Sequence, residues 1–240
     1  MFNLIQPTMR ISRATNQSIK YACTNFHYAK SVPANPIGYN IYNDNDEWCG
    51  CILYGFGANC NIGAEYNLSQ GQVLELTRVA LNGKQECTSQ ALALSIKRIK
   101  KDCPLCKLLV SYADCDQEHL GTIYQATNWI YTGRNGQGNK AGYIVNGKKV
   151  HTRTIWEWKV NVDGKMVHCP YDIDIIRANF DPNAIELVTK GKLKYLMPLD
   201  KKTRKQVQHL HHPYPKNDGW VKIDRHSFVK EDDSVLQSNV

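Results

Sequence analysis

Asp114 closes the apolar run Lys107-Leu-Leu-Val-Ser-Tyr-Ala-Asp114, a place where a carboxylate can serve as a general base. It can equally cap the helix that follows, a task also open to Asp116. Ser111 in the same run is either a plain strand residue or a hydrogen-bond donor to a bound group. Arg78 ends another apolar run, where a guanidinium can grip a phosphate or carboxylate, or pair with a nearby acid and support the fold. A separate cluster, His27-Tyr-Ala-Lys30, offers an aromatic stacking face and two donors, the alternative being a plain surface loop.

The elements that must position these groups are legible in the apolar periodicity. Gln72-Val-Leu-Glu-Leu-Thr-Arg-Val-Ala-Leu81 reads as a buried strand broken by Asn82-Gly83. Thr88 or Ser89 caps a helix to about Lys101, with Leu92, Ile96 and Ile99 on one stripe, and Asp102-Cys-Pro104 stops it. Lys107 to Tyr112 is a second strand, so the spacing predicts a parallel pair, splayed at the carboxyl ends where a ligand is expected. The segment from Leu120 reads as a helix with Leu120, Ile123, Tyr124 and Thr127 on one face, ended by Asn128 and followed by the extended Trp129-Ile-Tyr131.

Residues 1 to 70 read as short strands and loops more than helices. Asn146-Gly147 and Asp163-Gly164 predict two hairpins, Tyr143-Ile-Val with Lys148-Lys-Val and Trp156-Glu-Trp-Lys-Val with Lys165-Met-Val. Lys192 to Met197 reads as a last strand, Lys201 to Leu210 as a basic helix, and the tail from Glu231 as disordered.

The chain has 240 residues and a net charge of +8, with a late basic excess at Lys190, Lys192, Lys194, Lys201, Lys202, Arg204 and Lys205. Such a surface favours a polyanion, the alternative being a solvated face that aids solubility. No apolar run nears the roughly 20 residues of a membrane helix, and the first residues lack a secretory signal pattern, so a cytoplasmic location is expected with no membrane partner. The nine cysteines are an odd count, for which reduced thiols are expected. Cys103-Pro-Leu-Cys106 has knuckle spacing, but no second pair follows, and no metal is assigned.

Tyr124 in the last helical turn, then Asn128, the aromatics Trp129 and Tyr131, and Gly133 resemble the GNAT superfamily of acetyl-CoA-dependent N-acetyltransferases. There the helix after the fifth strand ends in a similar phrase and lies beside the thioester. Four phrases in order, Phe26-His-Tyr-Ala-Lys30, Glu75-Leu-Thr-Arg78, Val110-Ser-Tyr-Ala-Asp114 and His119 to Trp129, are joined by a fifth, Lys194 to Lys201 with its basic sequel to Lys216. Together they resemble the GNAT-like Mom family of bacteriophage DNA-modification proteins, which convert adenine to N6-carbamoylmethyladenine and so hide the genome from host restriction. The likeness covers residues 20 to 216 with gaps; the segment 136–183 looks expanded, and nothing is carried onto it.

The resemblance implies an α/β fold with a GNAT-like mixed, mostly antiparallel central sheet, flanked by helices and bearing extra β-hairpins. It implies one transferase domain over 1–216 with a β-rich insertion around 136–183, and a C-terminal extension over 217–240. The implied partners are double-stranded DNA and a small-molecule group donor, acetyl-CoA or another small acyl or aminoacyl donor, in the host cytoplasm. Asp114, Tyr124, His27 and Ser111 become catalytic candidates, with Tyr124 a proton donor or, alternatively, a core aromatic. Tyr28, Lys30, Arg78, Lys201, Lys202, Arg204 and Lys205 become candidates for holding substrate or DNA, and Asn82, Gly83, Ser89 and Asn128 for holding the donor. The sequence departs from the acetyltransferase pattern in one respect: between Arg78 and Ser89 it has a single glycine where a Gln/Arg-x-x-Gly-x-Gly/Ala phosphate loop is usual. Two alternatives remain, an N-acetyltransferase acting on a small molecule or protein, and a non-enzymatic basic DNA-binding protein on the same scaffold.

Overall fold

The computed structural model describes residues 9–57, 61–215, 220–222 and 228–230. In chain order it begins β1 (Arg10–Arg13), α1 (Asn16–Phe26), β2 (Ile37–Tyr42), β3 (Trp48–Gly55), β4 (Val73–Leu81), α2 (Thr88–Asp102), β5 (Leu108–Asp114), α3 (Thr122–Gln125) and β6 (Ile130–Asn135). There follow β7 (Lys140–Val145), β8 (Lys148–Val150), α4 (Thr152–Glu157), β9 (Lys159–Val162), β10 (Lys165–His168), α5 (Ile173–Asn179) and β11 (Ile185–Val188). The order closes with β12 (Lys192–Pro198), α6 (Lys201–Val207), β13 (Trp220–Lys222) and β14 (Phe228–Lys230).

One compact unit holds the described residues up to Ala113, with Gly121–Gly133 and Leu193–Tyr214. Its sheet has seven strands in the order β1-β2-β3-β4-β5-β12-β6. The pairs β1–β2, β2–β3 and β3–β4 are antiparallel, and β4–β5 is parallel, as the strand–helix–strand spacing predicts. The sheet is the mixed, mostly antiparallel α/β architecture expected. Leu108, Leu109 and Val110 are all buried, so β5 is covered on both faces. On one side Val73, Leu108, Val110, Ile130, Leu196 and Val207 form a core cluster. On the other, α2 buries Ala91, Leu92, Ser95 and Ile99, and Ser95 Oγ meets Tyr54 Oη at 2.7 Å inside the core.

The amino-terminal region departs from expectation. Asn16–Phe26 is a helix of 11 residues rather than strand or loop. Thr15 and Ser18 cap it reciprocally, and it lays Ile19, Ala22 and Cys23 on β3 and β4 beside Cys51, Leu53 and Ala80. Gly38 permits that approach, since a Cβ there would lie 2.7 Å from Ile19 Cδ1.

A second compact unit holds Asp114–Leu120, Arg134–Lys192 and the described residues from Pro215 on. It contains the three-stranded sheet β11-β7-β8 and the hairpin β9–β10 around Tyr143, Val145, Ile155, Val160, Cys169 and Ile176. Both hairpins form at the Asn-Gly and Asp-Gly steps, where Asn146, Gly147, Asp163 and Gly164 all have positive φ. Trp156 and Glu157 are not in the second hairpin as the alternation suggested. His151 accepts from Arg153 N at 3.0 Å, capping α4, and that helix takes both residues. β13 and β14 pair antiparallel, and the tail from Glu231, expected to be disordered, lies outside the described residues.

Candidate active site

Parallel pairing between β4 and β5 runs over three rungs, Val73–Leu108, Leu74–Leu109 and Glu75–Val110, while β4 continues to Leu81 and β5 to Asp114. The strands therefore part after Glu75 and Val110, leaving backbone groups without the ladder. Ser111 stands at the parting: its Oγ lies 3.0 Å from Leu76 O and 2.9 Å from Tyr124 Oη, and both side chains are buried. A hydroxyl has one proton and a carbonyl can only accept. When Ser111 donates to Leu76 O, the Tyr124 phenol is the donor to Ser111. Burial raises the Tyr124 pKa, the Ser111 contact offsets part of that rise, and the charge of Glu75 adds to it. The phenol is thus protonated at neutral pH, suited to giving a proton rather than taking one.

α3 places Tyr124, and it is shorter than the helical face from Leu120 to Thr127 suggests. Gly121 enters it at φ 72° against the Tyr195 ring, where a Cβ would meet Tyr195 Cε2 at 2.5 Å. Asn128 ends the turn at φ 60°, as expected, and Trp129 N donates to Tyr124 O at 3.0 Å. The Tyr124 ring packs on Trp129 and Tyr195 at 5.2 and 5.0 Å between centroids.

A cleft of about 450 Å³ lies along α2, lined by Ser89, Gln90, Ile96, Lys97, Asn128 and Met197 among others. It unites two of the four donor-binding candidates, Ser89 and Asn128. The other two are elsewhere: Asn82 Oδ1 accepts from Lys84 N at 2.9 Å, making with Gly83 a turn at the end of β4. No side-chain cap closes the N-terminus of α2 at Cys87, and the first-turn amides of Ser89 and Gln90 there face the Cys87 thiol, a place that favours negative charge. That cradle has no glycine-rich loop ahead of it, so the residues present fit a small donor better than a pyrophosphate.

Arg78 reaches Thr77 O through Nη1 at 2.7 Å and Ser31 Oγ through Nη2 at 3.5 Å. Among the described residues its Nε has no acceptor and no carboxylate ion-pairs with it. The alternative of an ion pair that merely supports the fold is therefore not what forms. The Ser31 contact brings the His27–Lys30 loop beside Arg78. There His27 and Tyr28 stack at 4.4 Å, His27 Nδ1 accepts from Ala29 N, and Lys30 Nζ donates to Asn25 O at 3.3 Å.

A family model described as the Mom protein family matches residues 8–216. The chain belongs to the Mom protein family. Its structure is similar to a GNAT family acetyltransferase from Elizabethkingia anophelis with acetyl-CoA bound, at 13% identity and a TM-score of 0.41, over 80% of this chain and 99% of that one. It is likewise similar to a Bacillus subtilis acetyltransferase in complex with CoA, at 8% identity, TM-score 0.42 and coverage of 80% and 99%. An N-acetyltransferase from Staphylococcus aureus Mu50 gives 12%, 0.41, and the same two shares. Comparison with curated proteins finds no match.

In this Mom family chain Asp114 takes the capping place, accepting from Asp116 N at 3.1 Å, while Asp116 accepts from Thr189 Oγ1 and Lys190 N at 2.7 and 2.8 Å. Strand alternation sets Asp114 on the face of β5 opposite Ser111. The basic residues divide as well. Lys201, Lys202 and Lys205 are exposed on α6, with Arg204 half-buried, after Asp200 caps its first turn through Thr203 N at 2.8 Å. Lys190 and Lys194 are buried, so they leave the basic surface that composition suggested; Lys194 Nζ pairs with Glu65 at 2.6 Å. Sequence reasoning missed Glu75, whose carboxylate sits at the last rung and bears on both Tyr112 and Tyr124. It also missed Cys87, whose thiol is exposed beside Ser89 Oγ at 3.1 Å.

Proposed function

We propose that this chain is a transferase that converts adenine to N6-carbamoylmethyladenine in double-stranded DNA and thereby shields phage DNA from restriction. Membership of the Mom family over residues 8–216 carries the reading, and the parted β4–β5 pair with its buried phenol supports it. Adenine N6 is a weak nucleophile because its lone pair is delocalised into the ring. The base must leave the stack, be held by its edge and lose an N6 proton as the new N–C bond forms.

In this scheme a small donor occupies the cleft beside Ser89 and Asn128, with its anionic part toward the N-terminus of α2. Tyr124 turns its proton from Ser111 to the leaving group as the donor's bond breaks, and the Ser111 hydroxyl turns from Leu76 O to donate to the phenolate left behind. Asp114, at the open end of β5, takes the N6 proton. Arg78 neutralises a carboxylate or phosphate, with His27, Tyr28 and Lys30 lining the approach of the base. The α6 cations hold DNA phosphates.

The test is direct. DNA from cells expressing the chain is digested to nucleosides and weighed by mass spectrometry. A modified adenine that disappears with Tyr124→Phe supports the reading. Unmodified DNA together with an acetylated small molecule or protein would replace it with ordinary N-acetyl transfer, and unmodified DNA with DNA binding alone would leave a non-enzymatic protein.

A further inference from the structure

We propose that the unit inserted between β6 and β12 carries a separate binding ledge for an unpaired nucleic-acid strand, built on Trp156, His168 and Tyr171. The Trp156 and His168 rings lie 4.9 Å apart and 3° from parallel, and Tyr171 follows at 5.8 Å from Trp156. Despite this packing, Trp156 keeps 47% and Tyr171 44% of its surface exposed. Large aromatics held half open at a fixed angle form an exposed patch of the kind that marks an interaction site.

The hairpin register explains how the ledge is held. In β9–β10, Lys159 faces His168 and Asn161 faces Met166, while the alternate pair Val160–Val167 turns Val160 into the core. The outer face therefore presents an ammonium, an amide and an imidazole in one patch with the exposed Met166 thioether. His168 Nδ1 lies 2.8 Å from Trp156 O, which can only accept, so Nδ1 carries the proton. Nε2 then accepts from Lys159 Nζ at 3.2 Å. Both ring nitrogens are fixed, and the imidazole is locked flat beneath the indole. Lys140 Nζ anchors Tyr171 through its carbonyl at 2.9 Å.

Charge selects the occupant. From 148 to 172 the chain has five Lys or Arg (Lys148, Lys149, Arg153, Lys159, Lys165) against three acids (Glu157, Asp163, Asp172). Asp172 is already engaged in capping α5. Arg153 lies one helical turn before Trp156, on the same face of α4. Rings that stack any base, interleaved with cations for the backbone, fit a strand whose bases are unpaired; a duplex hides its ring faces.

The experiment uses the full chain and a fluorescein-labelled oligothymidylate, followed by fluorescence anisotropy, with a blunt duplex of equal length alongside. The probe contains no adenine and no donor is present, so the outcome is independent of the proposed reaction. Trp156→Ala is expected to weaken oligothymidylate binding by about ten-fold, as removal of one stacked base does, and to leave duplex binding nearly unchanged. Trp156→Phe keeps most of the affinity, and Lys159→Gln lowers the salt slope by up to about 0.7. Should Trp156→Ala disturb the melting curve, Tyr171→Ala provides the same reading. Wild-type affinity in Trp156→Ala and Tyr171→Ala, or an equal weakening on the blunt duplex, overturns the proposal. So does a chain that ignores the oligonucleotide and self-associates until Trp156 is removed, which would make the ledge an interface between copies.

Discussion

Ser111 and Tyr124 are bound through their hydroxyls at 2.9 Å, and the same serine reaches Leu76 O, the first β4 carbonyl beyond the parallel ladder. One small side chain thus closes the broken ladder and fixes the phenol. The two roles separate by substitution. Tyr124→Phe leaves Ser111 on the carbonyl, so the melting temperature should change little while adenine modification falls on the order of 10²-fold or more. Ser111→Ala leaves both Leu76 O and the buried phenol without this partner, at a cost of about 1–3 kcal/mol. Thermal melts and nucleoside mass spectrometry on the two variants read both effects. Full activity in Tyr124→Phe would remove the phenol from the chemistry.

Asp114→Asn should abolish modification and keep the fold. The Asp114 carboxylate caps the turn at Cys115 by accepting from Asp116 N, and an asparagine oxygen can accept the same bond. Volume and capping are conserved, and the negative charge that makes the side chain a base is removed. A variant that modifies DNA at the wild-type rate leaves Asp114 as a cap. Glu75, the carboxylate at the last rung, is then the next residue to replace.

The parallel pair, α2 and both hairpin turns were readable because each rests on local signals: apolar runs, a helix stripe, and Asn-Gly or Asp-Gly steps. α1 was not, since only Ile19, Ala22 and Cys23 are buried along it and its cap uses Ser18 where Glu or Gln is the usual sign. The length of α3 was set by a neighbour distant in sequence, Gly121 lying against Tyr195. The Ser111–Tyr124 bond has no spacing rule, because the partners come from a strand and a helix joined by an irregular turn. Composition likewise could not separate buried Lys194, paired with Glu65, from the exposed lysines of α6. Ser89 and Asn128 could be named in advance; Met197, from β12, reaches the same cleft only through the strand order.

The cations of α6 should grip phosphates without reading bases. They are mostly lysines on one exposed helix, with few amides suited to base edges beside them. Replacing Lys201, Lys202, Arg204 and Lys205 with Gln should weaken binding to every duplex alike. The same variant should flatten the salt dependence by up to about 0.9 in slope for each phosphate no longer neutralised. An unchanged slope and affinity would make this face a solvated one, with DNA entering from the His27–Lys30 side.

The cysteines should separate by pH. Cys87 is exposed, and its pKa is lowered by Ser89 Oγ and by backbone amides at the start of α2. Burial pushes Cys51 up to about 12 and Cys106 up to about 11 from an ordinary 9.0. Iodoacetamide at neutral pH should therefore label Cys87 long before either of them, by peptide mass spectrometry. Because Ser89 lines the cleft, the label should also slow modification if the donor binds there. The buried pair acts on stability with a definite sign. Their folded pKa values lie above the unfolded one, so their contribution is intact below about pH 9 and is lost as pH rises through about 11 to 12. Cys106→Ala removes its share of that alkaline destabilisation while opening a small cavity, so its denaturation midpoint should be lower at pH 7 and fall less steeply above pH 9 than that of the wild type. A wild-type midpoint that stays flat from pH 9 to 11 would contradict the burial of these thiols.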